Sequence, residues 1–211
     1  MRKIAKLAAD ASCRCYPFHP PDLQSKIALF FTYFFTIDDL IRDFPTEAQN
    51  FRRDVLQQKP LSPVFESCRE RLIDLDGYYD PYSADMVSKS VPRVLTSFRI
   101  NFRFKTGLPE ALIYLLAPRS VFGAESTRYL VQLAPELAVI INGINDILSF
   151  YKEVMVAQEP VNFVQHFAMV KGESVVEALE GVVERVVGCL GNGRRVVAGW
   201  PLLRGYVEAF V

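Results

Sequence analysis

The sequence predicts an all-α protein. Apolar residues recur three and four positions apart over segments of helical length, and Pro and Gly punctuate those segments. One segment also opens on a capping-box pattern, Ser174 followed by Glu177 three residues later. Two stretches rich in β-branched residues, Val175 to Val187 and Val196 to Val207, would favour strand on propensity alone. In the first of them Val175, Val176, Leu179, Val182, Val183, Val186, Val187 and Leu190 repeat at helical spacing, which decides for helix.

Taken in order, the chain has room for one helix before Pro17. A helix from Asp22 to about Arg42 follows Pro20-Pro21 and stops short of Pro45. The polar turn Asp80-Pro81-Tyr82-Ser83 leads into a helix from Ala84 to about Lys105, which closes at Thr106-Gly107. The longest helix runs from Thr127 to about Ala157, crossed only by Pro135 and Gly143. The Ser174 box opens a helix expected to end at a Gly191-Asn192-Gly193 turn. A final helix, Arg194 to Val211, carries Trp200, Leu203, Tyr206, Val207 and Phe210 for packing. Connections are short and repeats are absent, so residues 1–211 are expected to form one domain.

Half of the 211 residues are hydrophobic and 23% are charged, which is ample for a core and too apolar for disorder. Lys plus Arg equal Asp plus Glu at 24 each, leaving no basic excess to hold a nucleic-acid backbone. The longest nearly unbroken apolar run, Ile27 to Ile37, is 11 residues. A bilayer needs about 20, so no membrane span is expected. Met1-Arg2-Lys3 opens the chain without the apolar stretch of a secretory signal, and a soluble cytoplasmic protein is the expectation. Cys13, Cys15, Cys68 and Cys189 are read as reduced structural thiols, and His19 and His166 are too far apart to share a metal. Zinc chemistry, Cys-His catalysis and a Ser-His-Asp triad are thereby disfavoured, and no glycine-rich phosphate loop is present.

The strongest chemical signal is Asn145-Asp146-Ile147-Leu148-Ser149-Phe150-Tyr151-Lys152-Glu153. Asn145, Ser149 and Glu153 fall at i, i+4 and i+8, within about 40° per step on one helical face. A carboxamide, a hydroxyl and a carboxylate are hard oxygen donors that suit Mg²⁺ shared with a substrate phosphate. Lys152 falls near the same face and could meet a phosphate oxygen. The preceding Leu137-Ala138-Val139-Ile140-Ile141 is apolar on every side, so this helix is expected to be buried and its polar groups to need partners. A second candidate, Asp38-Asp39, places adjacent carboxylates at the end of an aromatic-rich helix, where they repel unless a cation binds. Arg42, four residues after Asp38, offers the alternative of a surface ion pair. A third, Arg103 ahead of Gly107, is by itself a C-terminal cation on a helix dipole.

Together these segments resemble the class I terpene cyclases, and most of all the fungal trichodiene-synthase-like sesquiterpene cyclases. Asn145 to Glu153 matches the family's second metal motif, N-D-x-x-S-x-x-K-E, and Asp38-Asp39, 107 residues upstream, resembles its aspartate-rich motif. The resemblance runs from Tyr16-Pro17-Phe18-His19-Pro20 to the last helix, and implies a class I terpenoid synthase-like bundle. It implies that Asp38 ligates two of three Mg²⁺ ions and that Asn145, Ser149 and Glu153 hold the remaining one. Asp39 and Asp43 are further acidic candidates. Lys152 would contact the diphosphate and Arg103 would sense it, with Arg99 one turn away as an alternative.

The chain departs from the family at two places. Arg42 stands where the last acid of the aspartate motif belongs, with Asp43 one place later, and the chain reaches Val211 without the family's Arg-Tyr pair over the diphosphate. The bundle is therefore expected to be short at both ends and to turn over poorly, giving mainly acyclic or simple alcohols, unless Arg93, Arg99 or Arg204 supplies a cap.

The implied activity is Mg²⁺-dependent ionisation of a prenyl diphosphate, farnesyl diphosphate above others, to a carbocation and diphosphate. Of the aromatics before the aspartates, Phe30, Phe31, Tyr33, Phe34 and Phe35, one or two should face the carbocation, with Phe31, Phe34 and Phe35 the candidates for substrate contact. Both motifs are expected at the mouth of an apolar cavity. The partner is the prenyl diphosphate alone, with no nucleic acid and with room for a homodimer. The competing readings are a chain-elongating prenyltransferase, which would carry two aspartate-rich motifs, a degenerate isoprenoid-diphosphate-binding protein without activity, and a structural helical adaptor.

Overall fold

The computed structural model describes residues 2–40, 43–97, 108–123, 126–156 and 162–211. Among them there is no strand, and eleven α-helices and one π-helical segment are present, as the helical spacing requires. They are α1 (Arg2–Cys15), α2 (Pro21–Leu40), α3 (Pro45–Leu56), α4 (Pro63–Asp76), α5 (Pro81–Ser97) and α6 (Leu108–Tyr114). The short α7 (Arg119–Phe122) precedes α8 (Ser126–Phe150), which passes directly into the π-helical segment Tyr151–Val156. Last come α9 (Phe163–Lys171), α10 (Val175–Val196) and α11 (Pro201–Phe210).

Proline starts five of these helices, at Pro21, Pro45, Pro63, Pro81 and Pro201. Its fixed φ suits the first helical position, where its missing N–H would have had no partner. α2 packs between α1 and α4, α5 against α4 and α6, and α8 between α6 and α10, with α9 on the outer side of α8 and α10. One continuous core joins α1 through α6 with α8, α10 and α11. In α2 the buried stripe is Leu23, Ile27, Phe30, Phe31, Phe34 and Ile37. The turn between α1 and α2 ties down the end of α6, whose last carbonyls have no intrahelical partner. Tyr16 donates to the Leu112 carbonyl at 2.9 Å, and His19 Nε2–H to that of Leu115 at 2.7 Å.

The Ser174 capping box forms: Glu177 N–H donates to Ser174 Oγ at 3.2 Å, and Ser174 N–H to Glu177 Oε2 at 2.7 Å. The helix it opens does not end at Gly191, however. α10 continues through Gly191-Asn192-Gly193 to Val196. Gly193 is buried facing Leu133 of α8, and Asn192 Nδ2 donates to Glu136 Oε1 at 3.2 Å. Tertiary contacts thus override a cost of about 1 kcal/mol per helical glycine. The expected helix from Arg194 is corrected in the same way: the chain turns at residues 197–200, and α11 begins only at Pro201. Ala84 to Lys105 starts earlier than expected, at Pro81, and its end lies outside the described residues.

Residues Thr127–Val154 form a helix long and apolar enough to cross a membrane, with mean hydropathy 1.3 over its best window. Counting only unbroken apolar runs missed it, because Pro, Gly and Asn interrupt the stretch while its average stays high. The same helix packs against α6, α9 and α10 within the bundle.

All four cysteines are free. Cys68 is buried, and burial pushes its thiol up to about 12, too high for a nucleophile at neutral pH.

A candidate diphosphate and metal site on the longest helix

α8 has two faces, and the nine-residue motif divides between them. The buried stripe Leu130, Leu133, Leu137, Ile140 continues through Gly143 to Asp146, which is 2% exposed. Asn145 lies about 100° round the helix from Asp146 and is exposed. Ser149 is half-buried, Lys152 exposed and Glu153 half-buried. The expectation that the whole helix is buried is corrected here: Leu148 is 77% exposed and Tyr151 70%. Near the end of α8 the buried face is narrow: Asn145 and, beyond the helix, Lys152 lie off it, and Ser149 lies at its border.

Ser149 Oγ is buried and has no hydrogen-bond partner among the described residues. It shares this with the hydroxyls of Ser62, Ser83 and Thr127, whereas several other helical hydroxyls are paired. Ser25, Thr32, Thr36 and Ser90 all donate to the carbonyl four residues back, at 2.7–2.8 Å. That local bond is the ordinary outlet for a hydroxyl in a helix. A buried hydroxyl without it costs free energy unless something else is bound there.

Glu153 lies in the π-helical segment, a local widening that recurs at functional sites. Its Oε2 accepts a hydrogen bond from Asn162 Nδ2 at 2.7 Å. Asn162 is 2% exposed and is also the N-cap of α9, its Oδ1 accepting from Val164 N–H at 2.9 Å. Sequence reasoning missed Asn162. The available signal was a cap-type residue directly before the apolar Phe163-Val164.

The side chains of Asp38 and Asp39 lie outside the described set, although their backbone forms the last turn of α2. Arg103 and the alternative Arg99 lie outside the described residues altogether. Asp43 is exposed in a turn beyond the described end of α2, its N–H donating to the Leu40 carbonyl at 2.8 Å. Phe31 and Phe34 are buried, whereas Phe35 is half-buried and stacks on Phe31 with ring centroids 5.6 Å apart.

A small cavity of about 30 Å³ lies on the other face of α8, where Gly143 and Asp146 meet Phe163 and Phe167 of α9 and Val182 of α10. It has room for a water molecule and none for an isoprenoid chain, since ligand pockets start at roughly 300 Å³. Asn145, Ser149 and Glu153 do not line it.

The donor set at Asn145, Ser149 and Glu153 fits a hard divalent cation: all three donors are oxygens, and one of them is a buried hydroxyl with no partner among the described residues. Among the described residues no three His, Cys, Asp or Glu side chains converge as a metal cluster. A site here therefore depends on the amide and hydroxyl as well as the carboxylate.

No family model matches the chain. It is 24% identical over its whole length to an (E)-beta farnesene synthase of Metarhizium brunneum, of which the match covers 70%. It is 28% identical, over 85% of its length, to an alpha-cuprenene synthase of Coprinopsis cinerea, of which 62% is covered. Among solved structures, the fold matches a linalool/nerolidol synthase of Streptomyces clavuligerus in complex with 2-fluorogeranyl diphosphate. The TM-score is 0.76 over 96% of this chain and 82% of that one, at 15% identity. That likeness establishes the fold.

Proposed function

We propose that this chain, which belongs with the fungal class I terpene synthases, is a Mg²⁺-dependent cyclase that ionises a prenyl diphosphate and releases diphosphate. The observation that carries the reading is Ser149 Oγ, buried without a hydrogen-bond partner on the helix that also bears Asn145 and Glu153. Asn145, Ser149 and Glu153 would hold one Mg²⁺, and Asp38, with Asp39 beside it, would hold others. Bound there, the metal supplies electrophilic stabilisation of the diphosphate leaving group.

The chain's own residues do the rest. Lys152, exposed next to Glu153, offers an ammonium to a diphosphate oxygen, and Arg103 would offer a second cation. Fixed cations favour charge separation in the breaking allylic C–O bond because they need no reorganisation as the charge develops. Phe35, half-buried over Phe31, has ring surface left for an apolar chain, and its π face can lie against a carbocation. Phe31 and Phe34 back it from the core and exclude water.

Farnesyl diphosphate is the substrate we favour, since the relative matched over the whole chain is named for farnesene. We read the chain as one soluble cytoplasmic domain of the trichodiene-synthase-like branch. Incubation of the purified chain with Mg²⁺ and farnesyl diphosphate, followed by analysis of volatile products, tests the reading. Mg²⁺-dependent terpenes or terpene alcohols are expected. Diphosphate binding without products would leave an isoprenoid-diphosphate-binding protein, and products only when isopentenyl diphosphate is added would make it a chain-elongating transferase.

A further inference from the structure

We propose that Asn162 is a positioning residue for Glu153, fixing the orientation in which that carboxylate meets a divalent cation. The inference rests on the reading of Glu153 as a ligand. Both polar atoms of the Asn162 carboxamide are committed: Nδ2 donates to Glu153 Oε2 at 2.7 Å, and Oδ1 accepts from Val164 N–H at 2.9 Å. The two partners have opposite polarity, so they also fix which way round the amide lies. A flipped amide would set donor against donor at Val164 and acceptor against acceptor at Glu153.

Capping alone does not call for asparagine. Ser and Asp cap about as well, and Ser174 does so for α10. What only asparagine provides at this position is an acceptor for the first turn of α9 together with a donor for a carboxylate nine residues upstream. An aspartate would keep the cap and face Glu153 with a like charge. A serine would keep the cap and reach no further.

Asn162 is 2% exposed, so water does not compete for this bond, and Glu153 Oε2 is oriented by it before any cation arrives. A carboxylate has about four lone-pair sites, and the bond from Asn162 takes only one of them. A long, rotamer-rich acid restrained in advance loses less freedom on binding metal, which is how outer partners of ligands raise affinity.

The test compares wild type with Asn162→Asp and Asn162→Ser by calorimetric titration of Mg²⁺ and inorganic diphosphate, with the thermal midpoint of each metal-free protein measured alongside. Both variants keep the cap; the midpoint of Asn162→Ser should stay close to wild type, whereas Asn162→Asp sets a buried carboxylate against Glu153 and should lower it. Their half-saturating Mg²⁺ concentration at fixed diphosphate should rise 10- to 100-fold, the usual loss for an outer partner of a metal ligand. A purely structural role predicts the reverse for Asn162→Ser, a lowered midpoint with unchanged Mg²⁺ dependence, and would overturn the proposal. Equal binding by wild type and both variants would overturn it too, while leaving the site reading intact. A wild-type chain that binds no Mg²⁺-diphosphate would remove both the site and this role for Asn162.

Discussion

Gly143 of α8 lies directly against Val186 of α10: a Cβ built on Gly143 would collide with Val186 Cγ2. The absent side chain therefore sets how closely the two helices approach. It does so half a turn or so before Asp146 and Asn145, where the motif begins. Val186 is 7% exposed and β-branched, so it has little freedom to turn away.

Gly143→Ala should destabilise the protein in spite of the better helix propensity of alanine. Overpacking costs about 1–3 kcal/mol and the propensity gain is about 1, so a net loss of up to about 2 kcal/mol is expected. Gly188, also inside α10, has open space where a Cβ would stand, with nothing within 4 Å, and Gly188→Ala should stabilise by about 0.5–1 kcal/mol. Urea midpoints of the two variants should move in opposite directions. A common sign would mean that α8 and α10 are free to adjust.

Ser149→Ala separates stability from function. Its hydroxyl is buried without a partner, so removing it should leave stability unchanged or raise it by up to about 1 kcal/mol. Ser90→Ala is the comparison, because Ser90 Oγ donates to the Met86 carbonyl at 2.7 Å and should cost about 1 kcal/mol when lost. Ser149→Ala should nevertheless weaken Mg²⁺-dependent diphosphate binding tenfold or more, as measured by calorimetry. A clear loss of stability with undiminished binding would reduce Ser149 to a packing residue.

Which aspartate serves is a further point. Asp38 belongs to the last turn of α2, whereas Asp43 sits exposed in the turn that follows. Asp43 itself lies in a turn and not in a described helix, so it need not share the face of Asp38. Asp38→Asn should cost more Mg²⁺-diphosphate affinity than Asp43→Asn. Equal losses in a calorimetric titration would bring Asp43 into the ligand set.

The helices were legible because their buried stripes are regular, as Leu23, Ile27, Phe30, Phe34 and Ile37 show in α2. The glycines at 191 and 193 were misread because a turn signal is local, whereas the contact of Gly193 with Leu133 spans two helices. The spacing of Asn145, Ser149 and Glu153 was visible in one dimension, but the exposure of Leu148 beside them was not. Leu137 to Ile141 is apolar on every side and none of it is exposed, but that packing does not extend to Leu148. Asp146 could have been placed: it falls on the Leu133-Leu137-Ile140-Gly143 stripe at the same period. Asn162 could have been placed as a cap but not as a partner of Glu153, since no periodicity links a cap residue to an acid nine positions earlier.

The last prediction concerns pH. His19 is 4% exposed, and its Nε2–H donates to the Leu115 carbonyl, which also accepts from Tyr79 OH at 3.0 Å. Its Nδ1 is buried with no hydrogen-bond partner among the described residues. A proton added there would be an N–H without an acceptor, among the rings of Tyr16 and Tyr206. Burial lowers the imidazole below its ordinary value, and the Leu115 bond offsets this only in part. The unfolded chain then binds more protons than the native one just below pH 6.5, the free histidine value. Stability from this residue is therefore full above about pH 6.5 and falls with acidification, until the native His19 also titrates. The steepest slope one such group can give is about 1.4 kcal/mol per pH unit. Urea midpoints between pH 7.5 and 5.5 avoid the ordinary carboxylate range near 4 and should show the fall. His19→Gln retains an amide donor for Leu115 and cannot titrate, so its stability should be nearly flat across the same window. An equal slope in wild type and variant would assign the acid sensitivity to some other group.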